Sequence, residues 1–481
     1  MSERTTIKKN LGYQTVYQIL NTCLPLITSP YLARVLGAEK QGVFSYTQSI
    51  VNYFTLFAML GVANYGTRTI AACREDKDER THEFWNIYAL QAFVSLIAII
   101  LYLLYIILIC KDNVLIASIQ GLYLLGCFLD INWVFFGIEK FKTTVSRSIF
   151  IRITSVVLIL LLVNNPDDLW IYAIIMAGGT ALSNGILWCF LPQEINMRGI
   201  SYIQKEEVKK HIKPNFVLFI PLLAMSVYHI MDKTMLGILS TYEQVGFYYN
   251  ADKVINIPIG VISGVGTVML PRTTALIAEN RREEANKLFT MSVESVFAVS
   301  TAMAFGIAAI SNEFTPFFFG KGFEPCIILI IVLAPVLIIK GLSQTSRMQY
   351  LIPSHNEKIF IQSVFLGAAV NLAVNYLLIS RMGAMGAVVG TLVAELVTCI
   401  WQYVKMNKSI KTVKTILKSS VYLLFGILMF VAVRVGSRVF DSAVLSIAFE
   451  FLIGVIVYGG LCLVFWKFTH SQILGIILRR K

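Results

Sequence analysis

The sequence predicts an all-α polytopic membrane protein of about fourteen transmembrane helices, arranged as two six-helix lobes with an extra helix pair at the C-terminal end. Three observations carry this prediction. The 481 residues are 56% hydrophobic and only 14% charged, with a mean hydropathy of +0.70. A soluble chain of that length could not cover so much apolar surface. The apolar residues come in blocks of about 18–25, separated by short polar loops, and such blocks span a hydrocarbon core about 30 Å thick. Lys and Arg, finally, gather in alternate loops.

In chain order, the spans are expected at 11–35, 42–67, 84–109, 114–138, 144–163, 169–191, 213–239, 245–271, 288–311, 324–346, 358–380, 384–404, 415–436 and 443–466. The first is a span and not a cleaved signal, because its long apolar part is dotted with Gln and Asn and no small-residue cleavage site follows a short apolar core. The expected division is an N-terminal lobe at 1–192, a charged linker at 193–212, a second lobe at 213–404, and 405–481 for the final pair and tail. The linker is expected to form a short helix on the membrane surface. With the N-terminus in the cytoplasm, about 30 of the 41 Lys and Arg residues fall on the inner side and about 7 on the outer, the asymmetry of the positive-inside rule. An even number of spans then puts both termini in the cytoplasm. A faint internal repeat links "VLGAEKQGVFSYTQSI" after the first span to "MLGILSTYEQVGFYYNADK" after the seventh. Related halves are a common transporter plan.

The net charge of +13 follows from loop composition and does not require a nucleic-acid partner. The 8 Cys are scattered without a Cys-x-x-Cys pair or a His cluster, so neither metal nor disulfides are expected. No phosphate-binding loop is present; "FGKGF" at Phe319–Phe323 lacks the spacing. Nucleophile-elbow and His-Glu-x-x-His motifs are absent, and no loop could fold as a catalytic domain. The pattern is that of a transporter without a cofactor, and no catalytic residue is expected.

Polar stripes mark candidate binding residues. Asn10, Gln14, Tyr17, Gln18, Asn21, Thr28 and Tyr31 recur at helical spacing in the first span, and Ser45, Gln48, Asn52 and Thr55 in the second. The eighth span carries Asn250, Lys253 and Asn256, then Gly260, Ser263 and Gly264. Each stripe alone could serve interhelical hydrogen bonding; three together point to a water-filled cavity. Charges inside a membrane must be paired or solvated. Of the pairs Asp232-Lys233 and Asp252-Lys253, Lys253 falls on the polar stripe and Asp252 does not, since adjacent helical residues point about 100° apart. Lys253 is expected to line the cavity and Asp252 to hold the wall, although salt bridges pinning the span ends would also explain both pairs. Arg34, Arg152, Lys340 and Arg347 add cations on further spans, a set suited to a phosphate-bearing ligand; snorkelling to headgroups is the other reading of Arg34 and Arg347. Asp130, Asp232, Glu395 and Glu450 are the candidates for coupling to protons or Na+, with salt bridges as the alternative.

Three motifs carry a family resemblance. "PYLARVLGAEKQGVFSYTQSIVNYFTLFAMLGVANYGTRTIAACRED" resembles the start of bacterial polysaccharide repeat-unit flippases of the Wzx type. "MDKTMLGILSTYEQVGFYYNADKV" resembles their mid-chain signature, with Asp232, Leu236, Gly237, Val245, Gly246, Tyr248, Ala251 and Lys253 in the matching places. "RMGAMGAVVGTLVAE" is similar to their later Gly-rich segment. The resemblance implies the fold of the multidrug/oligosaccharidyl-lipid/polysaccharide exporter superfamily, a MATE-like arrangement of two lobes around a central cavity. It also implies alternating-access flipping of undecaprenyl-pyrophosphate-linked oligosaccharide across the bacterial cytoplasmic membrane, for capsule, O-antigen or a related polymer. Membrane lipids, a polysaccharide polymerase and a chain-length regulator would be the partners. Only Lys253 matches a motif position among the cations. The rival readings are a lipid II flippase, a multidrug/cation antiporter of the same superfamily, and a membrane polymerase or ligase.

Overall fold

The structure is a computed structural model that describes residues 3–407, 410, 412–437, 440 and 442–469. The basic tail Arg479–Lys481 and loop residues Lys408 and Lys411 lie outside the described residues. Among the described residues every regular element is helical, as expected in lipid, where each backbone group must be satisfied within its own segment. Ten helical stretches are long and apolar enough to cross a membrane: the chain is a multi-pass membrane protein. The remaining four expected spans, 11–35, 42–67, 213–239 and 245–271, fall on other helices, so the described residues support ten spans and leave fourteen as an expectation.

Two compact units divide the chain, Met1–Gly237 and Ile238–Lys481. The first unit contains α1 (Glu3–Met59), α2 (Val62–Ala72), α3 (Lys77–Leu108), α4 (Val114–Gln120), α5 (Leu122–Phe128), α6 (Asn132–Gly137), α7 (Phe141–Leu162), α8 (Leu169–Ile186), α9 (Leu191–Glu194) and nearly all of α10 (Lys205–Leu239). Residues 213–237, expected to open the second lobe, thus fall in the first unit. α1 is two helical segments that meet at Gly37, between the first two expected spans, and its φ of 70° and ψ of 178° suit glycine and almost no other residue. Gly237, its counterpart in the repeat, does different work: a Cβ there would come within 2.0 Å of the Tyr46 ring, so glycine lets α10 approach α1. Phe84, Trp133 and Trp188 pack with Tyr88 in an aromatic core under one end of the unit.

Within the 193–212 segment, the residues from Lys205 onward already form the start of α10. Residues Met197–Tyr202 make a short 3-10 turn bound to the start of α3. The Trp85 indole donates to the Asn196 carbonyl at 3.1 Å, the Asn86 amide to that of Tyr202 at 3.2 Å, and the Arg80 guanidinium to that of Glu194 at 2.9 Å. Three donors in the first turns of α3 meeting the carbonyls of Glu194, Asn196 and Tyr202 hold the segment against the unit.

The second unit contains α11 (Tyr242–Ala278), α12 (Arg282–Phe319), α13 (Pro325–Leu333), α14 (Pro335–Ser346), α15 (Glu357–Met382), α16 (Ala384–Met406), α17 (Thr412–Ser419), α18 (Val421–Gly436) and α19 (Ala443–Phe468). Pro335 interrupts one span between α13 and α14, as a residue lacking an N–H does. The Gly-rich motif makes the α15–α16 hairpin. A Cβ at Gly390 would sit 2.0 Å from the Asn375 side chain, the close approach that small residues allow between membrane helices.

Candidate functional site

Each unit has a polar interior. In the first, α1 carries Gln41 and Ser45, both buried, with no hydrogen-bond partner for the Gln41 amide or the Ser45 hydroxyl. Gln120 on α4 donates to the Phe44 carbonyl at 3.1 Å, and its own carbonyl oxygen is unpartnered. A turn further along α1, half-buried Gln48 donates to the Tyr123 hydroxyl at 3.4 Å, Ser49 bonds Thr234 of α10 at 2.8 Å, and Asn52 is half-buried. Buried polar atoms left unpaired cost about 1–3 kcal/mol each, so water or a hydroxyl-rich ligand is their natural partner. The side chains of Asn10, Gln14, Tyr17, Gln18 and Asn21 lie outside the described residues. Arg34 is exposed on α1 and donates to the Pro30 carbonyl at 3.3 Å; Arg152 is exposed on α7.

Asp130 is bound locally. Its carboxylate accepts from the backbone and side-chain amides of Asn132 at 2.8 and 2.7 Å, which shapes the turn between α5 and α6. Asn132 in turn accepts from Arg147 at 2.9 Å and donates to Asn184 at 3.1 Å. Arg147 joins α7 to this network and was not among the residues singled out on sequence. Its position near the start of an expected span, outside the polar stripes and motifs, gives no signal.

In the second unit, α11 presents Asn250, Lys253 and Asn256 on the expected stripe at three depths: Asn250 fully buried, Lys253 half-buried, Asn256 exposed. The Asn250 amide donates to the Gly246 carbonyl at 2.9 Å, and its oxygen has no partner. The Lys253 ammonium stands over the Tyr249 ring at 4.0 Å, a cation–π contact. Asp252 accepts from the Asn256 amide at 2.8 Å, a link one turn along the helix wall. The side chain of Ser263 on α11 lies outside the described residues.

Lys340 on α14 and Glu395 on α16 form an ion pair of 3.4 Å, their side chains only 15% and 4% exposed. Arg347 opens a π-helical turn, Arg347–Leu351, donates to Gln344 at 2.7 Å and stacks over Phe360 at 5.3 Å. Such turns are frequent at functional sites. Glu450 on α19 is fully buried with neither carboxyl oxygen bonded. On neighbouring helices, Glu313 of α12 and Arg434 of α18 pair at 3.0 Å. Asp232 is buried on α10. Among the described residues no group of His, Cys, Asp and Glu could hold a metal ion.

The arrangement offers cations backed by aromatic rings and amide- and hydroxyl-lined helix faces, the chemistry of a ligand with phosphate and sugar parts. Comparison with known proteins agrees in fold. The putative O-antigen transporter of Escherichia coli is 24% identical over 412 residues, which cover 85% of this chain and 99% of that protein. A structure of the lipid II flippase MurJ in an inward closed conformation has a TM-score of 0.77 at 14% identity and covers 95% of this chain and 99% of that one. An inward-facing multidrug resistance MATE family transporter has a TM-score of 0.55 at 14% identity, covering 85% and 98%. A family described as "Polysaccharide biosynthesis protein" matches residues 7–277. With more than half of its length matched, and with the helical fold of these transporters, the chain belongs to the polysaccharide biosynthesis protein family.

Proposed function

We propose that the protein is a flippase and not an enzyme. It turns undecaprenyl-pyrophosphate-linked oligosaccharide repeat units from the inner to the outer leaflet of the bacterial cytoplasmic membrane by alternating access, for an O-antigen or capsule-type polysaccharide. The observation that carries this reading is the alignment with an O-antigen transporter across 85% of the chain. The chemistry supports it. On the second unit, Lys253 is the candidate cation for the pyrophosphate and Asn250 a candidate partner for sugar hydroxyls; on the first, the buried amides and hydroxyls of α1 are candidate partners for sugar hydroxyls; and Arg34, Arg152, Lys340 and Arg347 are further candidates. Both termini lie in the cytoplasm on this reading, and the polymerase and chain-length regulator receive the product outside. The likeness to a lipid II flippase structure favours one second reading, a lipid II substrate with the same lipid pyrophosphate.

The test is complementation at matched expression in a host deleted for the gene. Wild type and Lys253→Arg are expected to restore surface polymer. Lys253→Ala is expected to lower it about tenfold or more, the weight of a lost charge-assisted hydrogen bond of about 1.5–3 kcal/mol. Rescue of a strain depleted of its lipid II flippase would move the substrate to lipid II. Unchanged polymer on deletion, with no second flippase in the host, would sink the flippase reading altogether.

A further inference from the structure

A groove of 530 Å³ opens on the first unit where the middle of α2 meets the third and fourth turns of α10. We infer that it binds an anionic phospholipid, its headgroup phosphate held by Arg68 and Lys213 and one acyl chain lying along Val217. Nothing in this inference depends on which substrate is flipped.

The two cations come from different helices and face one groove, and among the described residues neither forms an ion pair. The other polar groups in the walls are engaged. The Tyr65 hydroxyl bonds His211 at 2.8 Å and the Thr69 hydroxyl donates to the Tyr65 carbonyl at 3.0 Å. What remains for a ligand is therefore an Arg fork and a Lys point charge, the pair of donors that suits phosphate, above an apolar floor of Pro214 and Val217. An occupant must be anionic at one end and apolar at the other.

Position selects a membrane lipid. Lys209, Lys210 and Lys213 stand on the first turns of α10, and directly after them Phe216 and Val217 are 52% and 59% exposed. Lys209 and Lys210 pair with Glu206 and Glu207, which leaves Lys213 as the cation beside exposed apolar side chains, the profile of a helix crossing from headgroups into acyl chains. The same end of the unit carries the ion pairs Arg74–Glu139 and Lys140–Glu194, so the groove lies at one membrane face. A transported lipid must be reached from both faces, whereas a resident lipid of one leaflet needs only this one.

The test counts lipids bound to the purified full-length protein by native mass spectrometry, with phosphatidylglycerol, phosphatidylcholine and undecaprenyl pyrophosphate as probes. Wild type should retain one phosphatidylglycerol that phosphatidylcholine does not replace. The Arg68→Ala/Lys213→Ala variant should lose it, with affinity falling about fivefold for each cation removed, the fold-change of about 1 kcal/mol for one basic residue near an anionic surface. Arg68→Lys/Lys213→Arg should retain it, which separates lost charge from misfolding. Equal retention by wild type and the Ala variant, or equal binding of phosphatidylcholine, would overturn the inference. Displacement of phosphatidylglycerol by equimolar undecaprenyl pyrophosphate would overturn it too, since the groove would then serve a polyprenyl lipid.

Discussion

Lys340 and Glu395 show how much a single residue can mean in this setting. In the sequence each is a charge inside the membrane, Lys340 a candidate substrate contact and Glu395 a candidate ion-coupling acid. They sit 3.4 Å apart with little exposure, and removing one partner of a buried pair strands the other charge at a cost of about 3–5 kcal/mol. Lys340→Ala and Glu395→Ala are each expected to lower the thermal midpoint in detergent strongly, and Lys340→Met with Glu395→Leu to recover most of the loss. Single variants as stable as wild type would mean that the pair is not holding α14 to α16, leaving Lys340 as a substrate-contact candidate and Glu395 as an ion-coupling candidate.

At the scale of elements, the first turns of α10 are fastened to α2 and α3 through a buried histidine. The Nδ1 of His211 meets the Tyr65 hydroxyl at 2.8 Å and its Nε2 lies 3.8 Å from Glu83. Burial pushes the His211 pKa below its usual value of 6.5, against the opposing pull of Glu83 and Glu207 and with smaller help from His82 and Lys210. The unfolded chain therefore takes up the proton more readily than the folded one, and stability rises with pH across this window. The contribution is complete above about 6.5 and is lost as pH falls below it. Thermal unfolding at pH 7.5 and pH 5 should show a larger acid loss in wild type than in His211→Gln, which cannot titrate. Equal losses would place the acid sensitivity elsewhere.

For the whole molecule, the proposed topology assigns the inner face to the side where the charges gather. Ion pairs and basic residues crowd the end of the first unit formed by the α2–α3 turn, the α6–α7 turn and the linker. The opposite turns are sparse in cations, as at Lys111. In a cysteine-free background, an impermeant maleimide applied to intact spheroplasts is expected to label Lys111→Cys and to leave Lys210→Cys unlabelled until the membrane is opened. The reverse pattern would invert the topology and put the lipid groove on the outer leaflet.

By itself the sequence determined that this is a many-spanning helical membrane protein, because apolar blocks of bilayer length and loops of uneven charge are local properties that no packing can undo. It also placed Lys253, Asn250 and Asn256 on one stripe of one helix, since helical spacing is fixed by 3.6 residues per turn. What only the tertiary structure decided is which polar side chains meet. Lys340 and Glu395 lie on separate helices, Arg147 reaches Asn132 across a turn, and Arg80, Trp85 and Asn86 capture the linker's carbonyls. The two repeat glycines look alike in sequence, yet Gly37 is needed for its backbone angle and Gly237 for the Tyr46 ring beside it. Partners distant in the chain are chosen by packing, and packing leaves no local trace in the order of the residues.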